Sequence, residues 1–185
     1  MKALVVYESM FGNSRQVARA IASGLSEYAE VEVVPVADAP QAPDQDLDLV
    51  VAGGPTHAFS LSRPKTREEA VRRGAVDAQT EFGLREWLKG LPDGHGARLV
   101  TFDTKVRRAP GSAAHRAARE AAAHGYVAPV RWMSFFVHDY AGPLTYGELD
   151  RAREWGRSLG VLLTRAANRE ASRVANRTAN GSPTM

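Results

Sequence analysis

The residues best suited to bind a charged ligand lie in one short segment, residues 8–14, with the sequence ESMFGNS. Ser9 and Ser14 supply hydroxyl groups, and Gly12 permits a tight turn before a helical pattern begins. Backbone N–H groups at the start of a helix converge on an anion, and the helix dipole adds to the attraction. The segment contains no lysine or arginine. A phosphate would therefore be held here by amides and hydroxyls, although the same pattern also suits a plain strand-to-helix turn capped by Asn13 or Ser14.

Composition limits the other kinds of site. The chain has 185 residues, of which 44% are hydrophobic and 24% charged, as in one ordinary folded domain. It has no cysteine, which excludes disulfides, iron–sulfur clusters and thiolate zinc sites. The five histidines have no metal-ligand spacing. We therefore predict no metal site.

Charge and hydropathy also limit the partners. The net charge of +3 arises in residues 164–185, which contain four arginines and one glutamate. The rest of the chain is formally neutral, which argues against a nucleic-acid partner. No apolar run approaches the ~18–20 residues that span a bilayer, and the N-terminus has no signal-peptide core. We expect a cytoplasmic protein with no membrane partner, and a disordered basic tail over residues 166–185 that follows a domain of residues 1–165.

Short apolar runs alternate with helical periodicity along most of the chain. The predicted strands are residues 2–7, 31–36, 47–52, 97–103 and 132–137, and the predicted helices are residues 15–25, 82–91, 113–124 and 148–163. This alternation predicts an α/β three-layer sandwich around a parallel sheet. Five strands suit the doubly wound order 2-1-3-4-5. The sequence has neither a GxGxxG dinucleotide fingerprint after the first strand nor a nucleotide-triphosphate loop.

Residues 60–80, called the insert below, do not fit the alternation. They include RPKTREEAVRRG, which could form a short surface helix that ends at Gly74. If the chain is an enzyme, the insert could form part of a cover over a substrate.

Two more loops should join the first one at the same edge of the sheet, because ligands of doubly wound folds bind beyond the carboxyl ends of the strands. One loop follows the third strand and the other follows the fourth. Their candidate binding residues are Pro55, Thr56, His57, Ala58, Phe59, Asp103, Thr104, Lys105 and Val106.

The first loop and its flanks resemble the phosphate-loop signature of the flavodoxin family. The matching positions are Val5, Val6, Tyr7, Ser9, Gly12, Ser14, Ala18 and Ile21 in VVYESMFGNSRQVARAI. Ser14 stands where the family usually has threonine. The resemblance implies a flavodoxin-like fold that binds FMN and carries electrons. It also implies that the FMN phosphate is held by Ser9, Met10, Phe11, Gly12, Asn13 and Ser14.

The resemblance further implies that the second loop lies against one face of the flavin. Thr56 would then bond the ring edge, and His57 or Phe59 would stack on the ring. At the third loop the family usually has an aromatic residue, often tyrosine, within an acidic surround. Here Val106 stands among basic residues, so an aliphatic contact would replace the stacking.

The cations of the third loop define one further expectation. Lys105, Arg107 and Arg108 could form a shared positive rim with Arg63, Lys65 and Arg67 of the insert.

Three functions remain open from the sequence. The first is an electron carrier that serves a redox partner protein or a small-molecule acceptor. The second is an NAD(P)H-dependent FMN oxidoreductase of the quinone reductase kind, and the third is a flavin-free binding module. We assign no catalytic acid or base, because electron transfer needs none.

Overall fold

The computed structural model describes residues 1–180, which form five strands and five helices. The strands are β1 (Lys2–Tyr7), β2 (Glu30–Pro35), β3 (Leu49–Pro55), β4 (Leu99–Val106) and β5 (Met133–Val137). The helices are α1 (Asn13–Leu25), α2 (Pro64–Arg72), α3 (Leu84–Lys89), α4 (Ala113–Ala123) and α5 (Glu148–Asn180).

The strands form one parallel sheet in the order β2-β1-β3-β4-β5, which confirms the predicted topology. The three inner strands, β1, β3 and β4, are almost continuously buried, as expected for apolar runs covered on both faces. Pairing in register brings the carboxyl ends of β1, β3 and β4 to one edge. The three loops of the sequence analysis therefore meet there.

Helices cover both faces of the sheet. One core combines the sheet with α1 and α5 through residues such as Val17, Ile21 and Leu159, and the other combines it with α3 and α4 through Trp87 and Ala117. Burial of these apolar side chains stabilises the three-layer arrangement.

The helices α1 and α5 cross at close range. A Cβ atom on Gly156 would lie 2.1 Å from the carbonyl oxygen of Ile21, and one on Gly24 would lie 1.9 Å from that of Arg153. Glycine is therefore required at this crossing. The close contact fixes α1, whose first turn faces the functional edge.

The ends of β3 and β4 differ from the predicted ends. The ladder continues through Gly54↔Asp103 and Pro55↔Thr104, so β4 runs on to Val106. Residues 104–106, which the sequence analysis placed in a loop, therefore belong to a strand. Backbone pairing carries the strands beyond the last strongly apolar residue.

The closing helix is longer than predicted. The last buried residue among those of α5 whose burial is described is Leu163, yet α5 continues as a helix to Asn180, where the sequence analysis expected disorder from residue 166. Alanine and arginine are frequent in this extension, and both have high helix propensity. Residues 181–185 of the predicted tail lie outside the described residues, and the domain boundary at residue 165 stays a prediction.

The insert contains the expected surface helix, α2, which is followed by Gly74 with a φ of +88°. It is anchored by Arg67, whose side chain is 0% exposed. The Arg67 guanidinium donates to the carbonyl oxygens of Thr80 and Glu81 and to Ser62 Oγ. The expectation that Arg67 joins an exposed positive rim is therefore wrong, because its charge is used inside the fold.

The same network reaches the end of β1. The buried Glu8 carboxylate accepts hydrogen bonds from Ser62 Oγ at 2.5 Å and from the backbone N–H of Leu84 at 2.8 Å. Arg67 also pairs with Glu86 at 3.0 Å. Burial raises the pKa of Glu8, while its hydrogen bonds and the Arg67 charge oppose that rise. The network joins the insert to the residue that precedes the first loop.

Among residues 1–180, no helix is both long and apolar enough to cross a membrane.

Candidate functional site

The first turn of α1 offers backbone donors at the functional edge. Gly12 precedes the helix with a φ of +85°, and it provides no side-chain cap. The N–H of Arg15 donates to Ser9 Oγ at 3.3 Å, but those of Asn13 and Ser14 make no hydrogen bond within the described part of the chain. Unpaired N–H groups with the positive end of a helix dipole attract an anion.

These donors open onto a cavity of about 190 Å³ between the three loops. The predicted residues that line it are Ser9, Met10, Phe11, Asn13, Ser14, Pro55, Thr56, His57, Ala58, Thr104, Lys105 and Val106. Gly12, Phe59 and Asp103 do not line it. The structure thus brings together parts of all three loops that the sequence analysis assigned to one site.

Hydroxyl groups extend the row of donors along one wall of the cavity. Ser14 Oγ and Thr104 Oγ1 lie 2.7 Å apart, and both residues are buried. This contact joins the start of α1 to the end of β4. Each hydroxyl keeps further hydrogen-bonding capacity toward the cavity, since a hydroxyl both donates and accepts.

The Asp103 carboxylate joins the loop after β3 to the start of α4 through hydrogen bonds. Its Oδ2 accepts hydrogen bonds from Thr56 Oγ1 at 2.8 Å, Ser112 Oγ at 2.6 Å and the N–H of Ala114 at 3.1 Å. Thr56 Oγ1 in turn accepts from the N–H of Ala113 at 2.8 Å. These bonds position the loop after β3 against the start of α4, so the structure gives Asp103 a positioning role.

Residues 57–60 form a tight hairpin turn. The backbones of His57 and Ser60 exchange hydrogen bonds of 2.9 and 3.1 Å, and the two residues between them have positive φ, 44° at Ala58 and 71° at Phe59. Such a turn is costly for residues other than glycine or asparagine. The Phe59 side chain is 64% exposed at the rim of the site.

Tyr140 lines the cavity and was missed by the sequence analysis. Its ring makes edge contacts with Phe11 at 5.4 Å and with His57 at 5.1 Å between centroids, and its hydroxyl lies 3.3 Å from His57 Nδ1. Asn13 Nδ2 donates to the carbonyl oxygen of Ala141 at 2.9 Å, which holds the loop after β5 over the site. The available signal was an aromatic residue just beyond the fifth strand, at the same edge of the sheet.

Comparison with solved structures gives the fold a precedent. The chain matches a flavodoxin from the domain Archaea with a TM-score of 0.60 and 19% identity, over 89% of this chain and 99% of that one. It matches flavodoxin 1 from Bacillus cereus with a TM-score of 0.58 and 15% identity, over 84% and 95% of the two chains.

This chain has a flavodoxin-like fold.

A larger protein contains the same fold as a part. The flavodiiron protein from Giardia intestinalis matches with a TM-score of 0.57 and 18% identity, over 91% of this chain and 37% of that one. No protein-family model matches the sequence, and no curated protein matches it in a sequence search.

Within this flavodoxin-like fold, His57 is held as a neutral side chain. Burial lowers its pKa from 6.5 to about 4. At neutral pH the imidazole therefore carries no charge. Its flat polar ring lines the cavity and contacts the ring of Tyr140.

The expected positive rim is reduced to one cation at the cavity. Lys105 lines the cavity, and its Nζ donates to the carbonyl oxygen of Gly111. The Arg107 guanidinium stacks 4.3 Å from the ring centroid of Phe136 on β5 and does not line the cavity. The charge of Lys105 therefore lies at the cavity, whereas that of Arg107 lies over the Phe136 ring.

Proposed function

We propose that this chain binds FMN noncovalently in the cavity between the three loops and acts in electron transfer. The observation that carries the proposal is the uncapped first turn of α1, whose free N–H groups and flanking hydroxyls open onto that cavity. The resemblance of residues 5–21 to the flavodoxin phosphate loop supports the same ligand.

The residues present fit the phosphate group of FMN. Ser9, Ser14 and Thr104 supply hydroxyls, and the N–H groups of Asn13 and Ser14 supply backbone donors. Gly12 has a left-handed conformation, which is typical of backbone turns whose N–H groups bind anions. A bound phosphate would therefore cap α1, whose N-cap residue Gly12 provides no side-chain cap.

The rest of the cavity suits a planar apolar group. Pro55, His57 and Val106 line it, and Phe11 and Tyr140 add aromatic surface. Bound FMN supplies one- and two-electron chemistry. The chain's own residues would position the ring, exclude water with Tyr140 and set the local charge through Lys105.

The absorbance spectrum of the full-length protein as purified tests this proposal. We expect a flavin spectrum, with FMN recovered after denaturation, or restoration of that spectrum when FMN is added. A protein that binds no flavin in either experiment would contradict the proposal and would indicate the flavin-free binding module.

A second candidate is an NAD(P)H-dependent FMN oxidoreductase. The observation that favours it is a second, basic cavity beside the proposed flavin site. Steady-state oxidation of NADPH by the FMN-loaded protein with a quinone acceptor separates the candidates, because an electron carrier would not turn over these substrates. A cytoplasmic location, and a redox partner protein or small-molecule acceptor, remain parts of the proposal.

A further inference from the structure

A cavity of about 310 Å³ adjoins the proposed flavin site. It shares His57, Ala58 and Tyr140 with that site, and α2 of the insert and the residue after it form its other wall. A ligand in this second cavity would therefore lie next to the proposed position of the flavin, separated from it by two side chains.

The wall from α2 carries an excess of positive charge. Three cations line the cavity, namely Lys65, Arg72 and Arg73. Glu69 is the one carboxylate among the described residues that line it. The Glu69 carboxylate binds Arg72 at 2.8 Å and Arg73 at 2.8 Å, and these hydrogen bonds lower its pKa. Lys65 has no ion-pair partner among the described residues.

Glu69 orients the two arginines without using all their donors. Arg72 bonds it through Nε and one Nη atom, and Arg73 bonds it through Nε. A guanidinium has five N–H donors, so each keeps several for another acceptor. The remaining N–H donors could bind a phosphate or a carboxylate, since guanidinium groups bind these anions bidentately.

The cationic wall is coupled to the aromatic wall. The Arg73 guanidinium carbon lies 4.9 Å from the centroid of the Tyr140 ring, and the Tyr140 hydroxyl lies 3.3 Å from His57 Nδ1. A molecule whose anionic group contacts α2 could therefore place its remaining part against Tyr140.

The cations also lie on a fixed support. Arg67, on the same helix as Lys65 and Arg72, is fully buried and joins α2 to Ser62, Thr80 and Glu81. Helix α2 therefore cannot move away from the site without exposing a buried ionic network.

We propose that this second cavity binds the anionic group, a phosphate or a carboxylate, of a small-molecule electron donor or acceptor. The proposal rests on the proposed function, because the flavin gives such a ligand its redox role. Lys65 and Arg72 of α2 would then bind this anionic group, a role that the flavin site alone does not explain.

Titration with inorganic pyrophosphate and, separately, with citrate tests the proposal on full-length FMN-loaded protein. Binding is followed by backbone amide chemical shifts. We expect shifts in α2 and at His57 and Tyr140, and the tighter probe identifies phosphate or carboxylate as the preferred group.

The double variant Lys65→Gln, Arg72→Gln should weaken the tighter probe by at least about tenfold, because each substitution removes a hydrogen bond to a charged group. The matched control Arg119→Gln removes an exposed charge from α4 and should change binding by less than about twofold. Equal binding to wild type and the double variant, shifts confined to residues outside the second cavity, or no binding of either probe would overturn the proposal.

A separate measurement shows whether the proposal of FMN binding fails. FMN binding is measured by fluorescence quenching on the same preparations, and the probe titrations are repeated without FMN. If FMN does not bind but pyrophosphate or citrate binding still depends on Lys65 and Arg72, the proposed function fails and the anion site stands.

Discussion

The loop after β1 and the insert reach the same edge of the sheet, but they differ in how they would bind an anion. The loop has no basic residue and offers N–H groups, hydroxyls and the start of a helix. The insert offers side-chain cations on α2 and fixes them through the buried Arg67. Binding by amides depends on backbone geometry, whereas binding by cations depends on side-chain charge and on salt.

If both proposals hold, one edge of this sheet presents two anion sites that bind by different means. The amide site would be selective for shape, because Gly12 and the α1–α5 contact fix its donors. The cationic site would suit exchangeable ligands, because the side chains of Arg72 and Arg73 are more than half exposed and partly paired with Glu69. A tightly held cofactor and an exchanging reactant would need these two properties.

Removing the anchor of the insert should have the largest effect. Arg67→Met leaves Glu8 buried without its nearby cation, and we expect a loss of about 3–5 kcal/mol in the free energy of unfolding. Urea denaturation measures it, with Arg119→Met as the matched exposed control. A loss below about 1 kcal/mol would show that the network does not fix the insert.

The sequence could not have revealed this anchor. Residues 63–73 are rich in charge, and such a stretch is typical of a solvated helix. Arg67 becomes buried only because Ser62 and the carbonyl groups of Thr80 and Glu81 fold around it. That environment depends on tertiary packing, which periodicity does not encode.

The wall between the two sites should respond to pH. The fold lowers the pKa of His57 from 6.5 to about 4, so its neutral form is favoured. The stability that this contributes is present above pH 6.5 and is lost as the pH falls toward 4, with a slope approaching about 1.4 kcal/mol per pH unit. The unfolding free energy of wild type and His57→Gln, measured from pH 4 to 7, should converge as the pH falls. Parallel curves would contradict the assignment.

Lys105 places a cation at the first cavity, which Asp139 also lines. A cation within about 8 Å, at an effective dielectric of about 20–40, favours an added negative charge by about 1–2 kcal/mol. We therefore expect Lys105→Gln to lower the midpoint potential of bound FMN by about 50–90 mV at low salt. A redox titration measures the shift. Arg107→Gln is the control and should shift the potential less, because its guanidinium stacks on Phe136.

Truncation after Arg165 should have the smallest effect, since it removes neither anion site. The residues of α5 beyond Leu163 whose burial is described are largely exposed, so we expect a change of less than about 0.5 kcal/mol in stability and unaltered FMN affinity. Thermal unfolding and FMN titration of the truncated chain check this. A large drop in either would show that the extension supports the domain.

The sheet and the first loop could be predicted from the sequence because both depend on local patterns. Strand β1 was predicted with its observed bounds, and the turn at Gly12 opens α1 within two residues of the predicted start. Tyr140 could not be assigned, because its contact with His57 joins residues 83 positions apart. The extension of α5 was missed because helix propensity there acts without an apolar face.

The proposed function requires that the first turn of α1 bind the FMN phosphate. The most direct measurement compares the affinity of the flavin-free full-length chain for FMN and for riboflavin, which lacks the phosphate. We expect FMN to bind at least about tenfold more tightly. Ser14→Ala should weaken FMN by about 10–150-fold with little effect on riboflavin, while the exposed control Ser23→Ala changes neither. Equal affinity for the two flavins, or an unchanged FMN affinity in Ser14→Ala, would contradict the account.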